Sequence, residues 1–144
     1  MEARPTRMKH SEPDDGIREL ARTDLPALRT TMRKLGVIVA EVDCDLRYVW
    51  IDNPHPDFDP AAVIGKRDDE LIPPAEAVEI MGVKRAVLQQ RKTFSRVLAF
   101  NRSDGWRHYS FRAFPVRNAR GRIDGIFTIG FETQEAKPKP VRRD

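Results

Sequence analysis

Apolar side chains near the start of the chain recur at the spacing of a helix. One stripe, at intervals of three, four and three residues, is formed by Leu25, Leu28, Met32 and Leu35. Asp24 can cap the first turn, Pro26 is tolerated within it, and Gly36 is a natural stop. The pattern therefore predicts a helix over about residues 25–35.

Five strands and a second helix are predicted after this helix. Runs rich in β-branched and aromatic residues predict strands over 36–43, 46–52, 93–101, 106–116 and 122–132. Between the second and third strands, the stretch 73–91 carries acidic residues near its start and basic residues near its end, which predicts a helix. The order predicts an α+β domain with a five-stranded antiparallel sheet, helices on one face of it and an N-terminal helix.

Both faces of the predicted sheet carry apolar side chains. In the last strand, alternation sends Ile126 and Thr128 to one face and Phe127 to the other. One helical layer covers one face only, so the first helix, a second copy of the chain, or both must cover the other. We therefore expect a homodimer. Its partner face is expected to comprise Leu25, Leu28, Met32, Leu35, Trp106, Phe114, Phe127, Ile129 and Phe131.

The composition is typical of one soluble globular domain with polar ends. The chain has 144 residues, of which 40% are hydrophobic and 33% charged. We expect a disordered arm over 1–16, the folded domain over 17–133 and a disordered basic tail over 134–144. No secretory h-region and no apolar run of about 20 residues is present, so no membrane contact is expected and the cytoplasm is the expected compartment.

The charge balance is mildly basic, with a net charge of +4. Seven arginines of the last three strands could contact phosphates together with the basic tail: Arg96, Arg102, Arg107, Arg112, Arg117, Arg120 and Arg122. We favour a solvated strand face, because no paired stacking aromatics of an RNA-binding sheet are recognisable. His108 lies beside these arginines, and a solvated role is preferred to a pH sensor at an interface.

The other candidates for chemistry have structural explanations that we favour. The single cysteine, Cys44, excludes an intrachain disulfide and is interpreted as a hairpin residue rather than a redox switch. His55 lies between two prolines, and a role in the turn is preferred to metal or haem ligation. The acids at 68–70 are assigned to helix capping, because three successive residues do not converge on one ion. No catalytic residue and no metal site is predicted.

Several short motifs follow one another in order along the chain. They are RYVWIDNPHP at 47–56, VIGK at 63–66, Asp68 with Glu70 and Leu71, the helix at 73–91, Gly105, PVRN at 115–118, Gly121, Gly125 and Ile129 with Gly130. In this order they resemble a PAS domain, the sensory module of bacterial signalling proteins. The resemblance covers about residues 30–133, and the stretch 50–56 is similar to PAS domains at the front of sensor histidine kinases.

The resemblance implies a ligand pocket between the inner sheet face and the helices. Its expected lining is Ile38, Ala40, Val42, Ile80, Val83, Leu98, Phe100, Tyr109, Phe111, Ala113, Ile126 and Thr128. Plain core packing is the alternative to an open pocket. Tyr109 and Thr128 are the polar groups that a small ligand would use.

The cofactor signatures of the family are missing from this chain. Flavin-binding light-oxygen-voltage members carry a cysteine just before the long helix, whereas Cys44 lies in the first hairpin. Haem-binding members carry a histidine on that helix, and 73–91 contains none. The resemblance therefore predicts no cofactor, and an unknown small-molecule ligand stays open beside a filled core.

The resemblance also implies a function, namely a non-catalytic sensory or regulatory module in bacterial signal transduction. We expect it to dimerise through the N-terminal helix and the outer sheet face. Where family members often end in Asp-Ile-Thr, this chain has Phe-Glu-Thr at 131–133 and stops eleven residues later, so output to another protein in trans is expected. Two alternatives stay open: a fragment of a longer histidine kinase, and a basic nucleic-acid-associated protein.

Overall fold

The fold is seen in a computed structural model that describes residues 26–133. Its elements in chain order are helix α1 (Pro26–Lys34), strands β1 (Val37–Val42) and β2 (Tyr48–Asp52), helix α2 (Pro60–Val63), a 3₁₀ turn (Asp68–Glu70), helix α3 (Pro74–Gln90), and strands β3 (Phe94–Arg102), β4 (Gly105–Arg117) and β5 (Ile123–Glu132). Asp24, Leu25, the arm at 1–16 and the tail at 134–144 lie outside the described residues.

The five strands form one antiparallel sheet in the order β2-β1-β5-β4-β3. The predicted α+β class, the five-stranded antiparallel sheet and the N-terminal helix are therefore confirmed. The last strand, β5, lies in the middle of the sheet between β1 and β4. Because side chains alternate along a strand, β5 contributes one row of side chains to the middle of each face of the sheet.

The predicted bounds of the strands and of the long helix differ from those observed by one or two residues, and two of the differences have a clear physical cause. Strand β2 begins at Tyr48 rather than at residue 46, because Leu46 has φ 67° and the Asp43 carboxylate accepts the backbone N–H groups of Asp45 and Arg47. These bonds hold a turn where the pattern predicted strand. Helix α3 ends at Gln90 because Arg91 adopts a left-handed conformation with φ 59°.

The inner face of the sheet packs against helix α3 and the segments before it. Buried side chains from both layers form one inner core, with Ala40, Val42, Phe111 and Ile126 from the sheet and Val87 from the helix among them. Burial of such side chains contributes about 1.5–3 kcal/mol each, so this layer holds the domain together. It is the face on which the pocket was predicted.

The outer face of the sheet has a second, smaller apolar cluster. It consists of Val39, Val116 and Phe127, all buried, with Met32, Val37, Trp50, Phe114 and Ile129 packed against them; we call it the outer cluster. Its Met32 comes from helix α1. The first helix therefore takes part in covering the outer face, as expected if it covers that face alone or together with a second copy of the chain.

Two ion pairs fix helix α1 to the edge of the sheet. Arg29 Nη2 and Arg33 Nη2 lie 2.8 and 2.7 Å from Asp52 Oδ1 at the end of β2. Partial burial alone would raise the pKa of Asp52, but the hydrogen bonds from Arg33 and Arg29 outweigh it and lower that pKa. Helix α1 is thus held to the sheet by the ion pairs to Asp52 and by the packing of Met32 on the outer cluster.

Candidate functional site

A cavity of about 100 Å³ lies between the inner sheet face and the segment that connects β2 with helix α3. Seven of the twelve predicted pocket residues line it, namely Ile38, Ala40, Ile80, Phe100, Tyr109, Phe111 and Thr128. The remaining five are packed in the inner core beside it: Val42, Val83, Leu98, Ala113 and Ile126. The cavity is partly open to the surface, and its volume is below the roughly 150 Å³ of an engineered cavity that accepts a benzene ring, so a ligand held in it is limited to about one ring.

The connecting segment supplies one wall of the cavity that the sequence did not predict. Pro54, His55 and Phe58 follow β2 and line the cavity opposite the sheet. Tyr48 and Arg102 line it from the ends of β2 and β3. The motif at 50–56 pointed to this segment, but nothing in its spacing showed that it folds over the sheet.

The segment is held to the β3–β4 turn by side-chain hydrogen bonds. Ser103 donates its backbone N–H and its hydroxyl to the Asp57 carboxylate, at 2.8 and 2.5 Å. His55 Nε2 lies 3.1 Å from Asp104 Oδ1, and His55 Nδ1 accepts the backbone N–H of Asp57. The role of His55 is therefore to join the turn to the wall of the cavity, which extends the predicted turn role.

The hydrogen bonds that join His55 and Asp57 to Ser103 and Asp104 form what we call the clasp. Its two carboxylates are stabilised in their charged form. The hydrogen bond from Arg107, with smaller contributions from His55, lowers the pKa of Asp104 to about 2. Hydrogen bonds from the Ser103 hydroxyl and backbone N–H lower the pKa of Asp57. Both groups are ionised at neutral pH, so they are available to hold the wall in place.

A buried charge cluster lies at the other end of the cavity. Lys84 Nζ is 2.7 Å from Asp68 Oδ2 and donates to the Tyr48 hydroxyl at 3.0 Å, while that hydroxyl donates to Asp68 Oδ1 at 2.8 Å. The ammonium also lies 4.4 Å from the Tyr48 ring centroid. Burial, and then the charge of Asp68, raise the pKa of Tyr48 well above its usual value. The phenol therefore stays neutral and acts as a donor.

The assignment of the acids at 68–70 to capping is correct for one residue and wrong for another. Glu70 Oε1 accepts the backbone N–H of Arg67 in a capping box, and this bond lowers the pKa of Glu70. Asp68 instead turns inward to Lys84 and is only 3% exposed. It does so because the ammonium on helix α3 offers a buried partner that no cap supplies.

The predicted partner face divides into a buried and an exposed part. Phe127 is 0% exposed and packs against Trp50 and Phe114 at ring-centroid distances of 6.0 and 6.1 Å. It is therefore a core residue of one chain, and its assignment to a partner surface is corrected. Half-buried members of the predicted face are Leu28, Met32, Phe114 and Ile129, and exposed members are Leu35, Trp106 and Phe131.

The arginines of the last three strands do not form one free basic face. Arg107 pairs with Asp104 and Glu132, at 2.6 and 2.7 Å, and Arg96 pairs with Glu79 at 2.9 Å. Arg102 faces the cavity. These partners reduce the positive charge that is available to a phosphate backbone.

Cys44 lies in the β1–β2 turn, as predicted for a hairpin residue. Its thiol is exposed and donates to the Ile123 backbone carbonyl at 3.6 Å. Burial of part of the group, and then the charges of Asp124, Asp43 and Asp45, raise the pKa of the thiol. In residues 26–133, no helix combines the length and the apolar character needed to cross a membrane.

The fold and the order of the motifs agree with a match to a known protein family. The family model described as PAS fold matches residues 32–138, which is most of the chain. The chain therefore belongs to the PAS family of sensory domains. The resemblance noted in the sequence is thus confirmed.

Relatives of known sequence point to histidine kinases. The chain is 28% identical over 109 residues to Histidine kinase 5 of Arabidopsis thaliana, a match that covers 75% of this chain and 12% of that protein. The chain thus spans about an eighth of the length of this relative. It is therefore similar to one part of a histidine kinase.

Solved structures share the fold at low sequence identity. VqmA bound to DPO matches with a TM-score of 0.63 at 20% identity, over 76% of this chain and 58% of that one. A sensory box sensor histidine kinase from Vibrio cholerae matches with a TM-score of 0.59 at 14% identity, over 84% and 98% of the two chains. At these identities the likeness concerns the fold.

Proposed function

We propose that the protein is a PAS sensory module that forms a homodimer and passes its state to a protein partner in trans. The observation that carries this proposal is the set of large apolar side chains left exposed on the outer side of the sheet. Leu35 is 68% exposed, Trp106 61% and Phe131 44%. Side chains of this size in one region are typical of a surface that another chain covers.

The register of the strands groups these side chains. Phe131 on β5 and Val97 on β3 lie on either side of Ser110 on β4, in one row across the sheet. Val97 is also exposed, at 64%. Leu35 precedes Val37, which lies opposite Phe131 on β1. A second copy of the chain is the occupant that we propose, because a two-fold axis brings the same apolar patch onto itself.

The middle strand offers a route between the cavity and this surface. Thr128 and Gly130 of β5 line the cavity on the inner face, while Ile129 and Phe131 alternate with them on the outer face. A small molecule that binds better to one position of β5 shifts the population of that position. The outer surface, and any partner on it, would then report the occupancy of the cavity. The fold shared with VqmA, which has been solved bound to DPO, supports a small molecule as the input.

The mass of the full-length chain in solution tests the dimer. Native mass spectrometry at tens of micromolar should give twice the monomer mass of 16.6 kDa. The double variant Trp106→Gln/Phe131→Gln should give the monomer mass, because it removes the exposed apolar side chains without touching the buried cluster. A wild-type protein that is monomeric under these conditions would refute the proposal.

The variant Val78→Gln is the matched control. Val78 is 69% exposed on helix α3, on the inner side of the domain away from the outer sheet face. Its replacement removes a comparable exposed apolar group and should leave the dimer intact. Loss of the dimer in this variant as well would show that general surface apolarity, rather than the outer face, drives association.

A second candidate is that these residues are the sensor portion of a histidine kinase. The identity to Histidine kinase 5 favours it, since the matched stretch is 12% of that protein. An antibody raised against the domain distinguishes the two candidates in the source cells. A band near 16.6 kDa supports action in trans, and a band several times larger supports the kinase.

A further inference from the structure

One cation of the cavity has no ionic partner among residues 26–133. Arg102 is the last residue of β3, lines the cavity and is half-buried. Its Nε–H is buried and makes no hydrogen bond to the part of the chain that the structure describes. A buried donor without a partner is destabilising, and an acceptor in the cavity would remove that cost.

The acids near Arg102 are engaged elsewhere. Within residues 26–133 no carboxylate lies at ion-pairing distance from its guanidinium. Asp104 is bound to Arg107 and His55, while Glu76, which does not line the cavity, accepts the backbone N–H of Asn101 with one oxygen and has the other buried without a hydrogen-bond partner among the described residues. Asp68 also lines the cavity, but its charge is matched by Lys84. The cavity is therefore left with a net positive charge.

Two aromatic rings hold the guanidinium in place. The Cζ atom of Arg102 lies 4.9 Å from the ring centroid of Phe58 and 4.6 Å from that of Phe100. These contacts restrict the side chain from the connecting segment and from the sheet. A positioned guanidinium loses less conformational entropy when it binds a planar carboxylate than a free one does.

We propose that the cavity binds a small aromatic or heteroaromatic carboxylate, with the carboxylate on Arg102 and the ring among Ile38, Ile80 and Phe111. The inference rests on the proposed sensory function and specifies the chemical class of its input. The Tyr109 hydroxyl, which makes no hydrogen bond within the described residues, is a second donor for the same ligand. The apolar walls favour a ring, and the cavity volume of about 100 Å³ limits it to one.

A matched panel of probes tests the proposed class of ligand. Isothermal titration of the full-length chain with benzoate, benzamide and acetate, at constant ionic strength, separates the charge from the ring. Benzoate should bind at least tenfold more tightly than benzamide, which is neutral, and than acetate, which lacks the ring. A tenfold difference corresponds to about 1.4 kcal/mol.

Two variants show whether Arg102 is responsible. Arg102→Met keeps an apolar side chain over the two rings. It should weaken benzoate binding at least tenfold and leave the affinity for benzamide unchanged. Arg112→Met removes an exposed arginine of the outer face and should leave benzoate binding unchanged. The comparison of benzoate with benzamide is made on the wild-type chain, so it holds even if Arg102→Met folds poorly.

Three results would overturn the assignment: equal affinities for benzoate and benzamide, undiminished benzoate binding by a folded Arg102→Met variant, or no binding of any probe. None of them concerns the dimer, which is measured separately by its mass. Failure of the ligand class and failure of the proposed function are therefore distinguishable.

Discussion

Lys84 on helix α3 and Asp68 in the 3₁₀ turn form an ion pair of 2.7 Å, with the lysine side chain 0% and the aspartate side chain 5% exposed. The Tyr48 hydroxyl bonds to both. The pair joins the long helix to the connecting segment at one end of the cavity. A buried pair adds little net stability over an apolar replacement, but loss of one partner leaves an uncompensated charge.

Removal of the ammonium alone should therefore destabilise the domain strongly. We expect Lys84→Met to lower the free energy of unfolding by about 3–5 kcal/mol, because Asp68 is left buried and unpaired. Urea denaturation followed by circular dichroism measures this change. The double variant Lys84→Met/Asp68→Asn should recover part of the loss.

The exposed neighbour Arg85 provides the control for this prediction. Arg85→Met makes a similar change one residue further along helix α3 and should alter the unfolding free energy by less than about 0.5 kcal/mol. Equal effects of the two variants, or a double variant that is less stable than Lys84→Met, would contradict the assigned role of the pair.

The outer cluster should behave as part of the core of each single chain. Phe127→Ala removes a fully buried ring and should cost about 3–5 kcal/mol of unfolding free energy. Phe131→Ala, on the same strand and face but 44% exposed, should cost less than about 1 kcal/mol. Thermal unfolding of both variants measures the contrast, and similar losses would refute the distinction between core and partner surface.

The clasp over the cavity should weaken in acid. The folded-state pKa of Asp104 is about 2, below its ordinary value of 3.8, and that of Asp57 is lowered too. A lowered pKa contributes stability that is present above about pH 4 and lost as the pH falls towards 2. Asp104→Asn should therefore lower the melting temperature at pH 7 but have little effect at pH 2.

Asp45 supplies the comparison for the acid experiment. Its carboxylate makes no hydrogen bond to the residues described, so Asp45→Asn should leave the melting temperature nearly unchanged at both pH values. A pH-independent difference between Asp104→Asn and the wild type would mean that ionisation of Asp104 does not hold the clasp.

The thiol of Cys44 should be unreactive for an exposed cysteine. Its raised pKa leaves less thiolate at pH 7 than a free cysteine has. We expect alkylation by iodoacetamide to be severalfold slower than in the urea-unfolded chain. Asp124→Asn should increase the rate in the folded protein, because it removes the largest contribution of negative charge to the raised pKa. A rate equal to that of the unfolded chain would contradict this.

The sequence predicted the sheet and its two apolar faces because alternation is a local property. The sequence also contains two further signals of the buried charges. Lys84 lies four residues after Ile80 and three before Val87, on the buried side of helix α3. Arg102 continues the alternation of Leu98 and Phe100 towards the inner face. In each case, a charge at an apolar position indicated a buried partner or a cavity.

Other contacts of the site could not have been predicted from local patterns. A β-bulge between β1 and β2 places Glu41 opposite Trp50 and Val42 opposite Tyr48, so Val49 is the extra residue. Without the bulge, Tyr48 and Trp50 would share a face. With it, Tyr48 turns to Asp68, which is 20 residues away in the chain. Only the folded arrangement brings such groups together.

The pairing of β1 with β5 has a consequence for how this domain could be joined to other proteins. Val37, just after helix α1, lies directly opposite Phe131, near the end of the last strand. Neighbouring strands are about 5 Å apart, so the two points where the chain enters and leaves the sheet are side by side. A domain of this kind can be inserted into a host protein with little disturbance of the host's own backbone. Any tilt of β5 would then move both junctions at the same time.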